Sequence, residues 1–183
     1  ILFGLTGTTK FFEMQTAIAS LGPDSSLALL LAVVFILVGF GYKISAVPFH
    51  FWTPDVYEGS PTTITAYLSV APKAAGFAML IRFFNQVLGD GSAMTSSTWL
   101  ALNGIPWPQL IAVLAAATMT VGNLVAIQQK SVKRMLAYSS IAHAGYMMMA
   151  LPLMSESGIY SIMMYLTMYL FMNLGAFYVV IYV

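Results

Sequence analysis

The sequence predicts an all-α protein, a polytopic bundle of transmembrane helices. Only 13 of its 183 residues are charged, 60% are hydrophobic, and the mean hydropathy is +0.85. Because an average soluble domain carries roughly a quarter charged residues, this chain cannot cover a water-facing surface with polar groups. The composition excludes an ordinary cytosolic enzyme, a disordered region, and a nucleic-acid binder, which would need a basic stripe.

Five apolar stretches reach the length of about 20 residues that a helix needs to cross a bilayer. We predict spans at about 27–52, 62–88, 109–127, 135–154 and 159–183, with 1–5 as the tail of an earlier helix. The spans must be helical because lone strands leave backbone groups unpaired in lipid, and 27–38 lacks the alternation of a barrel strand. Residues 1–183 are expected to be an internal fragment of one membrane domain.

The connections between spans predict the orientation of the chain. Residues 53–61 separate the first two spans, and Lys130, Lys133 and Arg134 lie between the third and fourth. Basic loops favour the cytoplasmic side of a membrane. With strict alternation, the Pro54–Pro61 and Lys130–Arg134 loops are both predicted to be cytoplasmic.

Two lysines and one histidine are predicted at mid-membrane depth. Lys43 lies about sixteen residues into the first span and Lys73 about eleven into the second, both within roughly 5 Å of their helix centres. His143 lies near the centre of the fourth span. A lysine at the bilayer centre costs about 2.5–3.5 kcal/mol on insertion scales, and such residues commonly mark ion or proton pathways.

A buried lysine can relay protons when its surroundings change. Burial favours the neutral amine, whereas a nearby carboxylate favours the charged form. The five spans contain no mid-depth carboxylate, so a counter-charge must come from elsewhere, or the amine must be neutral. The alternatives are a structural pair with a remote carboxylate for the lysines and a hydrogen-bonded packing role for His143.

Prolines accompany both lysines. Pro48 and His50 follow Lys43, and Pro72 directly precedes Lys73. Proline removes a backbone donor and clashes with the preceding turn, and broken helices in transporters often line ion sites. The coincidence favours a functional helix break over prolines that merely bend their helices.

Cofactor and metal sites are not predicted in this chain. It has no cysteine and only two histidines, at different depths, which makes poor ligand sets for haem or an iron–sulfur cluster. Disulfides and thiol chemistry are also excluded.

Three segments carry a family resemblance. They are GYKISAVPFHFWTPDVYEGSPT at 41–62, SVAPKAAGF at 69–77 and GNLVAIQQKSVKRMLAYSSIAHAGY at 122–146. These sequence motifs resemble those of the antiporter-like membrane subunits of respiratory complex I, the proton-pumping NADH:quinone oxidoreductase. They are most similar to the motifs of the subunit N branch. The resemblance covers nearly the whole chain and implies a parent of fourteen helices, of which this chain holds the seventh to the eleventh.

The resemblance also implies roles for four residues. Lys43 falls on the pumping lysine of a broken helix, Lys73 on a connecting lysine, and His50 on a histidine beside the break. His143 falls on a polar position near the central hydrophilic axis. The family's modulating glutamate would lie before Ile1 and a further lysine beyond Val183.

The predicted function is proton translocation as a subunit of NADH:quinone oxidoreductase, with Lys43, Lys73, His50 and His143 as a proton relay. NADH, FMN, iron–sulfur clusters and quinone are expected in partner subunits, with no redox chemistry in this chain. Its expected partners are other complex I membrane subunits and lipid, in a bacterial inner membrane. The alternatives are a subunit of a multisubunit cation/proton antiporter and a structural membrane scaffold.

Overall fold

The computed structural model describes residues 1–22, 25–89, 101–102 and 105–182. Within these ranges the chain is helical and contains no strand. The helices are α1 (Leu2–Thr6), α2 (Phe11–Ala19), α3 (Ser26–Ile44), α4 (Trp52–Gly59), α5 (Thr62–Leu88), α6 (Trp107–Ile127), α7 (Val132–Met148) and α8 (Glu156–Tyr182). A 3-10 turn at Leu151–Leu153 connects α7 to α8.

Four of these helices are long and apolar enough to cross a membrane: α3, α5, α6 and α8. The predicted class, a polytopic bundle of helices, is therefore confirmed. The second predicted span coincides with α5. The third predicted span ends with α6 but starts two residues after the first residue of that helix. The fifth corresponds to α8, with Val183 lying outside the described residues.

The first predicted span was too long. Helix α3 ends at Ile44, and Ser45 follows in the left-handed conformation with φ 65°. The amide of Ala46 donates to the Gly41 carbonyl at 2.7 Å, which closes the last turn as a Schellman motif. Residues 45–51 are not helical, and α4 then occupies most of the segment predicted as a loop, 53–61.

The fourth predicted span, 135–154, was also misplaced. Helix α7 begins at Val132, three residues before the predicted span, and ends at Met148, six residues before that span's end. It carries Lys133 and Arg134 in its first turn, and Pro152 lies in the separate 3-10 turn. The helix is therefore shorter and more polar than the prediction.

Helices α6 and α7 form the most extensive helix–helix contact of the described structure. Two glycines make this possible. A Cβ on Gly122 would lie 2.6 Å from the Ala142 amide nitrogen, and one on Gly145 would lie 2.7 Å from that of Met119. The two backbones therefore touch with no space for a side chain between them, as in small-residue interfaces of membrane helices.

Helix α5 lies centrally and contacts α2, α3, α4, α7 and α8. Its lower-numbered half carries the polar side chains described below. The buried face of its later half is apolar, with Phe77, Leu80 and Phe84 each no more than 1% exposed. Phe84 packs on Trp107 of α6 with ring centroids 4.9 Å apart. This helix thus holds the apolar core at one end and a polar layer nearer the other.

The two segments predicted to share one side of the membrane lie in contact. One guanidinium nitrogen of Arg134 lies 2.8 Å from Asp55 and 2.9 Å from Glu58. Lys133 Nζ donates to the Ser60 carbonyl at 2.9 Å. These contacts join the start of α7 to α4 at one end of the bundle. That this end is cytoplasmic stays a prediction.

Replacing Arg134 with glutamine tests how much this charged contact stabilises the fold. We expect the melting temperature of the purified protein to fall by no more than a few degrees, because exposed ion pairs contribute little and salt screens them. Thermal unfolding at low and high salt measures it. A large decrease that persists at high salt would contradict this expectation.

Candidate functional site

Lys73 is buried in the bundle, with 2% of its surface exposed. Its Nζ donates a hydrogen bond to the Ser140 carbonyl at 2.7 Å and another to the Ser140 hydroxyl. Neither partner is charged. Among the described residues no carboxylate lies within ion-pair distance of this lysine. The lysine is therefore held by neutral oxygens of α7.

The Ser140 hydroxyl has a further partner in α4. It lies 3.3 Å from the phenol oxygen of Tyr57, and either group can be the donor. Both residues are buried, at 1% and 0% exposure. Thr65 of α5 donates to the Tyr57 carbonyl at 3.2 Å and helps to fix α4 in place. Three helices thus converge on Ser140.

A separate set of hydrogen bonds ties α5 to α8 one turn before Lys73. Asn173 donates to the Ser69 hydroxyl, and that hydroxyl donates to the Ala66 carbonyl at 2.7 Å. The Tyr169 phenol donates to the Ser69 carbonyl at 3.3 Å. These contacts satisfy buried polar groups between the helices and do not involve the lysine nitrogen.

His143 lies one turn beyond Ser140 on the same face of α7, because residues three apart are neighbours on a helix. Its Nδ1 lies 2.6 Å from the Tyr165 phenol oxygen of α8. The rings of Tyr146 and Tyr169 lie 5.7 Å and 5.3 Å away. The predicted site residues Lys73 and His143 are therefore brought to one polar layer.

Lys43 lies in the last turn of α3, not at its centre, because the helix ends at Ile44. Its side chain is exposed in this chain and makes no hydrogen bond or ion pair within the described residues. A Cβ on Gly76 would lie 3.3 Å from Lys43 Cγ. Since Gly76 is close to the middle of the 27-residue α5, Lys43 lies level with that middle and one turn from Lys73.

The non-helical segment 45–51 is held by hydroxyl groups. Thr53 donates to the Ser45 hydroxyl at 2.7 Å, and the Val47 amide donates to the Thr118 hydroxyl of α6 at 3.0 Å. His50 is 5% exposed, stacks on Phe51, and approaches Tyr138 of α7 edge-on at 6.3 Å. Its Nδ1 has no hydrogen-bond partner in the described structure.

The two predicted proline breaks differ. Pro48 lies within the non-helical segment that follows α3. Pro72 lies inside α5, which continues without interruption from Thr62 to Leu88. Because proline has no N–H, the Leu68 carbonyl one turn earlier loses its usual donor. Pro72 therefore frees a backbone acceptor beside Lys73 without ending the helix.

Sequence reasoning missed most of the hydrogen-bonding partners. The sequence signal that could have identified these partners is the spacing of polar residues at three- or four-residue intervals within apolar helices. The positions are Thr65, Ser69 and Lys73 in α5, Ser140 and His143 in α7, and Tyr165, Tyr169 and Asn173 in α8. Within each set, residues three or four apart share a face. In the part of the chain that the structure describes, no group of three His, Asp or Glu side chains could hold a metal ion.

This fold and site define a polytopic helical membrane protein with a buried, basic polar layer. The chain belongs to the family described as NADH:quinone oxidoreductase/Mrp antiporter, TM, which matches residues 1–183. The resemblance to the antiporter-like membrane subunits of complex I is therefore confirmed.

Curated relatives match with high identity. The chain is 51% identical to NADH-quinone oxidoreductase subunit N of Anaeromyxobacter sp. (strain Fw109-5), covering 100% of this chain and 36% of that protein. It is 54% identical to NADH-quinone oxidoreductase subunit N 2 of Sorangium cellulosum (strain So ce56), covering 98% and 35%. The chain thus spans about a third of the length of these relatives.

Solved structures share the fold. A chain of respiratory complex I from Thermus thermophilus, with bound aureothin, matches with a TM-score of 0.70 and 37% identity over 97% of this chain and 34% of that chain. The Mrp complex from Dietzia sp. DQ12-45-1b matches with a TM-score of 0.71 and 20% identity, over 96% and 30%. At that identity the second match shows the fold alone.

Proposed function

We propose that this chain forms part of a proton-translocating membrane subunit of NADH:quinone oxidoreductase. The observation that carries the proposal is Lys73, a buried amine in the polar layer whose hydrogen-bond acceptors are all neutral. A lysine paired with a carboxylate would be fixed in its charged form, whereas neutral acceptors leave the amine free to change protonation. The family membership supports the same reading.

Lys43 and Lys73 are the proposed proton carriers. The stem of Lys43 passes α5 at Gly76, one turn from Lys73, and water would carry a proton between the two amines. His50 and His143 flank this line, one at the non-helical segment after α3 and the other one turn beyond Ser140. The freed carbonyl before Pro72 and the segment around Pro48 offer backbone acceptors to that water.

The proton transfer would draw its energy from other subunits. NADH oxidation by quinone, with FMN and iron–sulfur clusters, is assigned to those partners, and this chain would bind no cofactor. The modulating carboxylate and the further lysine are assigned to segments outside 1–183. The proposed setting is a bacterial inner membrane, with the α4 and Arg134 end in the cytoplasm and lipid around the bundle.

Alanine at Lys43 and at Lys73, made singly in the full-length subunit within the complex, tests this function. We expect NADH-driven proton pumping into vesicles to fall sharply while the complex still assembles, because each substitution removes a proton carrier. Native gels measure assembly and a pH-sensitive dye measures pumping. Normal pumping in both variants would overturn the proposal.

A multisubunit cation/proton antiporter is the second candidate, because the family description includes Mrp antiporters and the Dietzia Mrp complex shares the fold. The co-purifying partners distinguish the two functions. NADH-dehydrogenase subunits support the oxidoreductase, whereas small membrane subunits together with sodium-dependent transport support the antiporter.

A further inference from the structure

We propose that Ser140 and Tyr57 form a reversible hydroxyl pair that keeps the Ser140 hydroxyl hydrogen-bonded to Lys73 in both the charged and the neutral form of the lysine. The inference rests on the proposed function, because it concerns how Lys73 changes protonation. It assigns Ser140 and Tyr57 as positioning residues, since neither needs to carry the transported proton.

The pair begins with the position of the Ser140 hydroxyl. This oxygen lies between Lys73 Nζ and the Tyr57 phenol oxygen, in hydrogen-bond contact with both. A serine hydroxyl has one proton and two lone pairs, so it can accept from one neighbour while it donates to the other. Its proton can therefore point either way along the line from Lys73 to Tyr57.

The charged form of Lys73 selects one direction. An ammonium group has only donors, so Nζ donates both to the Ser140 carbonyl at 2.7 Å and to the Ser140 hydroxyl oxygen. The Ser140 proton is then free to point to the Tyr57 oxygen, 3.3 Å away. Tyr57 acts as the acceptor in this state.

The neutral form selects the opposite direction. A neutral amine keeps two donors and gains a lone pair. One donor continues to bond the Ser140 carbonyl, while the lone pair accepts the proton of the Ser140 hydroxyl. The vacated acceptor site on Ser140 is then filled by the phenol proton of Tyr57. Loss of a proton from Nζ thus reverses two hydroxyl dipoles without moving a heavy atom.

The burial of the three groups makes this reversal useful. Lys73, Ser140 and Tyr57 are each no more than 2% exposed, so each depends largely on partners inside the bundle for its hydrogen bonds. Buried polar groups without partners are strongly disfavoured. The nearby Tyr169 phenol donates to the Ser69 carbonyl. A fixed acceptor in place of the hydroxyl pair would favour only one protonation state of the lysine.

Removing either hydroxyl tests the pair. We expect Ser140→Ala and Tyr57→Phe, made in the full-length subunit within the complex, to lower proton pumping per assembled complex by about two- to tenfold, the range that loss of one hydrogen bond produces. Ser140→Thr keeps the hydroxyl and should restore pumping. The double variant should pump as well as the single variant with the lower pumping rate, because both substitutions remove the same hydroxyl pair.

Ser69→Ala is the matched control. It removes another buried serine hydroxyl from the same layer, one that bonds Asn173 and the Ala66 carbonyl but not Lys73. We expect pumping per assembled complex to stay unchanged in this variant. Equal losses in Ser69→Ala and Ser140→Ala, or additive losses in the double variant, would overturn the hydroxyl pair in favour of a general structural role.

The lysine variants separate failure of the pair from failure of the proposed function. If Lys73→Ala pumps poorly while Ser140→Ala and Tyr57→Phe pump normally, the pair is wrong and the lysine relay stands. If Lys73→Ala pumps normally, both are wrong. If Ser140→Ala prevents assembly, Tyr57→Phe alone tests the hydroxyl pair, because it removes only the phenol oxygen and leaves the ring in place.

Discussion

Replacing Lys73 with methionine is expected to stop proton transfer through this subunit while leaving it folded and assembled. Transfer should fall by about a hundredfold or more, the lower end of what a positioned acid–base group contributes. The free energy of unfolding should fall by no more than about 1–3 kcal/mol, because methionine fills a similar volume while the Ser140 oxygens lose the donor that Lys73 supplied. The Lys73 amine has no carboxylate in the described structure that its removal would leave unpaired.

The measurement combines dye-detected pumping with thermal unfolding of the purified complex. Lys130→Met serves as the matched control, since Lys130 is an exposed lysine between α6 and α7 and should tolerate the change in both assays. A structural scaffold predicts the same tolerance at Lys73. Wild-type pumping in Lys73→Met would therefore support the scaffold, and a large loss of stability would show that the amine mainly holds α5 to α7.

Alanine at Gly122 or Gly145 should have the largest effect on folding. The added Cβ would lie 2.6 or 2.7 Å from a backbone nitrogen of the facing helix, a distance that real Cβ atoms do not adopt. Separating α6 from α7 would shift Ser140 and His143 relative to α5. Overpacking commonly costs about 1–3 kcal/mol, and a collision with backbone, which cannot rotate away, belongs at the upper end or beyond. We expect little assembled subunit.

Gly39→Ala is the control for this experiment. No atom lies within 4 Å of a Cβ at Gly39, and alanine favours a helix more than glycine does. The amount of subunit incorporated into the complex, measured on native gels, should stay normal in Gly39→Ala and fall in the other two variants. Normal incorporation of Gly145→Ala would mean that α6 and α7 are farther apart in the assembled complex.

The long apolar runs explain how much of the fold was predictable. Helices α5 and α6 are long and predominantly apolar, so length and composition were enough to locate them. The end of α3 was missed because residues 46–52 continue the apolar run, and hydropathy does not record where the backbone turns. The Ser45 left-handed conformation and the Ala46–Gly41 hydrogen bond, which end the helix, depend on backbone geometry.

Two members of the polar layer, Lys73 and His143, were predictable from the sequence. Lys73 was identified because an amine in an apolar helix is costly wherever it points. Ser140 and Tyr57 were missed because serine and tyrosine are tolerated at many positions of a membrane helix. Their importance comes from packing between α4, α5 and α7, which no local pattern reveals. The proton-relay roles of Lys43, Lys73, His50 and His143 all stay predictions.

The composition of α7 has a consequence for how this protein enters the membrane. With 17 residues, two cations in its first turn and several polar side chains, α7 is a poor substrate for insertion on its own. The preceding α6 is apolar and joined to it by residues 128–131, and their backbones meet at Gly122 and Gly145. The two helices are therefore best inserted as one hairpin, with α6 carrying its polar neighbour into the bilayer during synthesis.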